Sequence, residues 1–214
     1  MMNIKWYGHS CFLLTSANGV RVLCDPYSPE VGTNLEDIEA DIVTVSHHHF
    51  DHDCISVVSG EYILVDKCES IEHEGIIIEG INTFHDTEGG AKRGTNIMFK
   101  ITMDGMSVLH CGDLGHTLDA ETIERVGNVD VLLVPIGGTY TLDYIGARAV
   151  ANQLKQKVVI PMHYKTPNCK LDELAPIDAF ISHVANCAIH RLNQSEASLY
   201  PATLGEDRVL VLNC

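Results

Sequence analysis

The densest chemistry in the chain lies at residues 46–53, which read Ser-His-His-His-Phe-Asp-His-Asp directly after the apolar run 42–45. Imidazole nitrogens and carboxylate oxygens are the donors of catalytic zinc, and the same set accepts manganese or iron. In an extended or tightly turning segment, residues two apart face the same way. That spacing groups His47, His49 and Asp51 and sends His52 elsewhere, so one short loop can feed two adjacent metal ions. An affinity tag would sit at a terminus and lack the interposed Phe50 and Asp51.

Further candidates are scattered along the chain, each just past an expected strand. Asp25 follows a strand at 20–24 and precedes Pro26, where it reads equally well as a turn residue. His85 ends the run 76–84, and an isolated histidine of this kind is usually structural. Asp113 follows Gly112, which permits a sharp turn, and its two oxygens suit it to bridging a pair of ions. His163 follows a buried strand at 158–161, and Gly137 opens a Gly-Gly-Thr-Tyr loop after a strand at 130–135. His9 at a strand break leaves a role near the site open but reads better as structural, and His110, His183 and His190 read as structural. Binding groups collected at the C-terminal ends of strands are the mark of an α/β enzyme.

The motif His-x-His-x-Asp-His after a hydrophobic strand resembles the signature of the metallo-β-lactamase fold. Four other elements follow the family order: Cys-Asp-Pro at 24–26, the lone His85, Gly112-Asp113, and Pro-Met-His-Tyr at 161–164. The resemblance spans most of the chain and implies a four-layer αββα sandwich of α/β class. It implies that His47, His49 and His85 hold one metal, that Asp51, His52 and His163 hold the other, and that Asp113 bridges them. Asp25 becomes a carboxylate orienting the metal-bound histidines, as such outer partners do. The cofactors implied are two divalent ions, zinc by default, with manganese or iron also accepted. The reaction implied is hydrolysis by a metal-bridging hydroxide, with Asp51 and Asp113 as catalytic residues and no serine or cysteine nucleophile.

The positioning elements follow from pattern. Strands are expected at 4–7, 11–15, 20–24, 62–65, 76–84, 97–102, 106–110, 130–135 and 158–161, and a strand at 208–212 is expected to close the sheet. Asn18-Gly19 and Asp104-Gly105 are hairpin dipeptides. Helices are expected at 54–59, 118–126, 142–155 and 175–190. The 214 residues suffice for one domain spanning the chain. No run approaches the roughly 20 apolar residues of a membrane helix, and the start enters a strand pattern without a signal-peptide core. A cytoplasmic protein is expected. Its eight cysteines form no Cys-x-x-Cys pair and read as reduced thiols; Cys24 and Cys111, beside site elements, are the ones to watch for oxidation.

The formal charge of −15 argues against nucleic acid as a partner. Yet Arg93 and Lys92 follow His85, and Lys165 follows His163, so cations gathered near the site would favour a phosphorylated or carboxylated small molecule. Tyr140 and Tyr164 are candidates to hydrogen-bond a leaving group, and His116 is a pocket candidate. The resemblance is to the compact stand-alone branch that includes ascorbate-6-phosphate lactonase, giving an ester or lactone hydrolase as the expectation. A phosphodiesterase or nuclease of the same fold and a non-catalytic metal sensor are the alternatives. A homo-oligomer is compatible with the sequence, which does not read out oligomeric state.

Overall fold

The computed structural model describes residues 1–184, 186–205 and 208–214. In chain order the strands are β1 (Met2–Gly8), β2 (Cys11–Thr15), β3 (Arg21–Cys24), β4 (Ile38–Glu39), β5 (Ile42–Thr44), β6 (Val58–Ser59), β7 (Ile63–Val65), β8 (Ser70–His73), β9 (Ile76–Phe84), β10 (Thr95–Met103) and β11 (Met106–His110). Helix α1 (Ala120–Val126), β12 (Val131–Pro135), α2 (Tyr144–Leu154), β13 (Val158–Met162), α3 (Asp178–His183), β14 (Ala188–Arg191), β15 (Glu196–Leu199) and β16 (Arg208–Val211) complete the chain.

The strands form two large sheets, ordered β15-β1-β2-β3-β5-β7 and β14-β16-β13-β12-β11-β10-β9-β8, with a small β4-β6 ribbon. Alternation fixes the inner faces. In β1, Met2, Ile4 and Trp6 are buried while Asn3, Lys5 and Tyr7 are only partly so, and the buried set meets Ile78, Ile101 and Val108 of the second sheet in one core. Strands β12 and β13 are buried at every position, as parallel strands covered on both faces must be. The hairpin dipeptides behave as expected: Asp104 and Gly105 take φ of 52° and 71° between paired Met103 and Met106.

The two sheets match the expected metallo-β-lactamase-type sandwich, and the α-helices among the described residues lie on the second sheet's side. Asp119 caps α1 through the Thr122 N–H, and Asp143 caps α2 through the Ile145 and Gly146 N–H groups. Among the described residues no α-helix precedes α1. The outer face of the first sheet is instead covered by irregular chain, whose Tyr27, Val31, Leu35 and Val57 pack on Leu23 and Val43. The expected helix at 54–59 is a single 3₁₀ turn at Ile55–Val57 leading into β6.

The long helix expected over 175–190 is overturned, with Ala185 outside the described residues. Only α3 forms; after Val184 the run Ala188-Ile189-His190-Arg191 pairs in parallel with β16, so His190 lies in a strand. Its apolar residues satisfy either period, and pairing with β16 decides. For the same reason β16 does not close the sheet: β14 takes the edge and β16 lies between it and β13.

Candidate metal centre

Five strands deliver the chemistry to one rim. Asp25 follows β3, His47 comes three residues past β5, His85 follows β9, Asp113 comes three past β11, and His163 follows β13. The loop after β5 does not keep its two-residue spacing. The N–H groups of His52 and Asp53 both donate to the His49 carbonyl, at 2.9 and 3.1 Å, and this turn swings Asp51 round to join His52.

Two donor groups result. His47, His49 and His85 form one; Asp51, His52, His163 and His9 form the other, with ligand atoms in each group within 4.8 Å of one another. Asp113 stands between them. Its Oδ2 lies 3.1 Å from His85 Nε2 and 3.9 Å from His47 Nε2, while its Oδ1 lies 3.1 Å from His52 Nε2 and 3.2 Å from His163 Nε2. Each oxygen therefore faces a different group. His47 Nε2, His52 Nε2, His163 Nε2 and Asp113 Oδ1 are buried yet make no hydrogen bond. Burying so many polar atoms without partners is costly, and cations between them would satisfy them together. The donor set is also the right one for zinc, manganese or iron, so the residues fit a metal.

The outward nitrogens are fixed by a fully buried carboxylate. Asp25 Oδ2 accepts from the His52 Nδ1–H at 2.7 Å and from the Ser46 hydroxyl at 2.6 Å, and its Oδ1 accepts from the Ser46 N–H at 2.8 Å. Ser46 Oγ in turn accepts a hydrogen bond from the His47 Nδ1–H at 3.0 Å, its own proton being given to Asp25. One carboxylate and one hydroxyl thus aim both Nε2 atoms into the site. Asp113 is placed by Asn96, which is fully buried: its Oδ1 accepts the Asp113 N–H at 2.9 Å, and its amide donates to Thr83 Oγ1 at 2.8 Å and the Cys111 carbonyl at 2.9 Å. Gly112, at φ +54°, lets this turn lie against Ser46, whose Cβ would be 2.6 Å from a methyl there.

Burial and neighbouring imidazoles set the protonation. Desolvation, with His52 close by, lowers the His47 pKa to about 3, and burial beside His163 lowers that of His9 to about 4. Both rings are therefore neutral at physiological pH and able to donate a lone pair. Burial opposes charge on His52 and Asp51 as well, but their mutual attraction prevails, helped at His52 by Asp113 and at Asp51 by the His9 hydrogen bond, with Asp113 repelling the Asp51 charge. His52 is held well above the usual histidine value and Asp51 well below the carboxylate range.

The opening lies on the His49 side, where that ring is exposed. A cavity of about 240 Å³ is lined there by His47, His48, His49, Asp66 and Arg93. The larger cavity of about 690 Å³ over Lys5, Tyr7 and Arg21 contains none of the donor residues. Arg93 crosses from the loop after His85 to the loop after β12: its Nη2 donates to the Thr139 carbonyl at 3.1 Å and its guanidinium lies 4.8 Å from the Tyr140 ring centre. Asp86 shapes that loop by accepting four backbone N–H groups, from Glu88, Gly90, Lys92 and Arg93, at 2.7–2.9 Å.

Residues 3–163 match the family profile described as a β-lactamase superfamily domain. The chain belongs to the metallo-β-lactamase superfamily. It is 31% identical over 188 residues to a UPF0173 metal-dependent hydrolase of Methanoregula boonei, covering 77% of this chain and 83% of that one. A counterpart from Thermoplasma volcanium is 30% identical, covering 77% and 84%. A crystal structure from Thermotoga maritima, classed with the zinc-dependent hydrolases of this superfamily, superposes with a TM-score of 0.82 at 36% identity and 99% coverage of both chains. A metallo hydrolase of Ignicoccus hospitalis shares the fold, with a TM-score of 0.69 at 23% identity, covering 99% of this chain and 95% of that one. The protein is a metal-dependent hydrolase of the metallo-β-lactamase superfamily.

The structure brings His47, His49, Asp51, His52, His85, Asp113 and His163 together in one place, with Asp25 behind them. Arg93 and Tyr140 stand together at its rim. Lys165 does not face it: its ammonium binds Asp172 and the Cys169 carbonyl, each at 2.6 Å, and lines a separate cavity with Trp6 and Tyr164. Tyr164 is buried 5.3 Å from the Trp6 ring. Lys92 pairs with Glu88 on the surface. His116 uses both nitrogens in the scaffold, donating from Nδ1 to the Thr117 carbonyl and accepting the Phe84 N–H at Nε2, although its edge lines a groove beside Thr139. His110 is structural, bonded to the Ser10 carbonyl and the Gly112 N–H.

Two residues stand closer to the site than the sequence reading has them. His9, read as structural, places its ring 4.0 Å from that of His163 and its Nε2 3.1 Å from Asp51 Oδ2. The rule that exposed the others, a polar residue just past a strand end, applies to it after β1. Asn96 lies inside β10, where no local pattern marks it. Cys24 and Cys111, watched for oxidation, are fully buried, and burial pushes the Cys24 thiol up to about 12.

Proposed function

We propose that this chain is a dinuclear hydrolase whose substrate is a small ester or lactone carrying a phosphate or carboxylate. The observation that carries the dinuclear reading is the division of Asp113, one oxygen toward His47 and His85, the other toward His52 and His163. Zinc is the metal of choice, supported by the donor set and by the class of the Thermotoga maritima relative. Bound between these donors, two divalent ions supply Lewis acidity toward the substrate oxygen and a water of lowered pKa.

The chain's own residues then divide the work. Asp25 and Ser46 hold the Nδ1 protons of His52 and His47, so that Nε2 is the nitrogen each ring would turn to a cation, His52 giving up its second proton to do so. Asp113 and Asp51 are the catalytic carboxylates, Asp113 linking the two donor groups and Asp51 orienting the attacking water. Arg93 is the anion-recognition residue. Among the described residues it has no carboxylate within ion-pair distance, while its hydrogen bond to Thr139 leaves donors unused beside the opening. A cation left unpaired in a chain of formal charge −15 supports an anionic ligand. Tyr140, in contact with Arg93, is the candidate to hydrogen-bond the leaving group, its hydroxyl turning from Glu173 Oε1, to which it donates at 3.2 Å.

Metal content by mass spectrometry on untagged wild type, His47→Ala and Asp113→Ala tests the centre: about two equivalents, falling in both variants, is expected from the two donor groups. Esters and lactones with and without an anionic group test the substrate class, beside a generic phosphodiester. Arg93→Ala should lower kcat/KM for the anionic members by about 10–100-fold, the worth of one charge-assisted hydrogen bond, and leave the neutral members unchanged. Equal losses on both sets would refute the role of Arg93. Faster cleavage of the phosphodiester than of any ester or lactone would move the substrate class to phosphodiesters.

A further inference from the structure

His9 stands in the second donor group but outside the ligand set that the family resemblance implies, and the chain goes to some length to place it. It follows β1 with φ +51°, a left-handed conformation unfavourable for a non-glycine residue. Three interactions hold it there. Its carbonyl accepts the Trp6 indole N–H and the His163 backbone N–H, each at 3.0 Å. Gly8 before it, at φ +107°, lies close to the Tyr27 hydroxyl, which donates to the Tyr7 carbonyl at 2.6 Å. His163 is itself left-handed, at φ +50°. The two rings end 4.0 Å apart, the His9 side chain 1% exposed.

The beneficiary is Asp51. Among the described residues, the contact of 3.1 Å between His9 Nε2 and Asp51 Oδ2 is the one side-chain hydrogen bond that orients this carboxylate. Asp51 sits on a turn rather than a strand end, so nothing in the sheet fixes its rotamer. We propose that His9 is the positioning residue for the second donor group: its Nε2–H donates to Asp51 and holds that carboxylate where it shares a cation with His52 and His163. A buried, strained residue whose side chain bonds a candidate ligand fits the observation that strain collects at functional sites. The inference rests on the dinuclear reading given above.

Three substitutions separate this role from a structural one. His9→Gln carries an amide N–H about as far as Nε2 reaches. His9→Asn keeps a residue that tolerates left-handed backbone but stops short of Asp51. His9→Ala removes the donor altogether. Zinc stoichiometry and affinity are measured by competition with a chromogenic chelator, with the melting temperature of each metal-free protein as the check on folding. Expected in His9→Asn and His9→Ala is one equivalent bound as in wild type and the other weakened roughly 10–100-fold, the usual cost of losing an outer partner. His9→Gln should recover most of that loss, and metal-free His9→Asn should melt near wild type. Wild-type affinity for both equivalents in His9→Asn would overturn the proposal, leaving His9 structural. A His9→Gln variant as weak as His9→Ala would overturn it in favour of direct ligation by the imidazole. Fewer than two equivalents in the wild type itself would overturn the dinuclear reading and this inference with it, a result distinct from the other two.

Discussion

Replacing Asp25 with asparagine is the sharpest test of how the centre is held. Asp25 is fully buried and accepts three hydrogen bonds, two from Ser46 and one from His52 Nδ1. Its backbone is left-handed at φ +45°, and asparagine tolerates that conformation as well as aspartate does, so the substitution changes chemistry without changing backbone preference. The new amide has one acceptor where the carboxylate had two. Placed at Oδ1, its NH₂ meets the Ser46 N–H; placed at Oδ2, it meets the His52 N–H. At least one charge-assisted bond is lost in either case, at about 1.5–3 kcal/mol. For a chain of this size that lowers the melting temperature by roughly 3–12 °C. The larger consequence is for metal. With His52 free to rotate or change tautomer, affinity should fall about 10–100-fold, or about 1.4–2.7 kcal/mol. Zinc competition against a chelator and calorimetry of the metal-free protein read the two effects separately. Undiminished metal affinity in Asp25→Asn would show that the imidazoles are aimed by something other than this carboxylate.

Asn96→Asp should cost more than its single-atom change suggests, because an oxygen then faces the Cys111 carbonyl where an N–H stood; a loss of about 1–3 kcal/mol is expected, measured by urea unfolding, with reduced metal content. Asp86→Ala should free four backbone N–H groups and raise hydrogen exchange at Glu88, Gly90, Lys92 and Arg93 while the strands stay protected. The pKa of Asp86 is depressed, by those N–H bonds acting against desolvation, so its hold on the loop is complete above the usual carboxylate pKa of about 4 and is lost as pH falls below it. Exchange at those amides should therefore keep one protection factor at neutral and mildly acidic pH and lose it only in stronger acid. Iodoacetamide at pH 8 should label the part-exposed Cys54, Cys68, Cys169, Cys187 and Cys214 and spare Cys11, Cys24 and Cys111 until the protein is unfolded; rapid native labelling of Cys24 would contradict its burial.

The donor residues were legible because two local signals coincide at each of them: an apolar run that ends, and a polar residue just beyond it. His85, Asp113 and His163 all carry that mark. Spacing alone misled at Asp51, since the turn closed on the His49 carbonyl cancels the two-residue alternation, and only the family resemblance grouped Asp51 with His52. His9 carried the same mark but was discounted, because nothing in the chain announces that residues so distant in sequence meet. Asn96 was invisible for a different reason: its role depends on Asp113 arriving from the neighbouring strand. The segment after α3 failed because a short apolar stretch fits helix and strand periods alike, and parallel pairing with β16 is a tertiary fact. Lys165 shows the limit of adjacency. It follows His163 in sequence, but Asp172 draws its side chain elsewhere.

The backbone bond from the His163 N–H to the His9 carbonyl joins the first strand's end to the last strand to enter the site. Contacts between distant parts of a chain form late in folding, once the loop-closure entropy has been met. The second donor group draws on residues from both ends of that span, so no nascent or truncated chain that stops before β13 can assemble it. Metal captured there stabilises only the finished topology. In a refolding experiment, tight uptake at that position should coincide with the final kinetic phase, which makes the ion a reporter of correct chain order as well as an agent of chemistry.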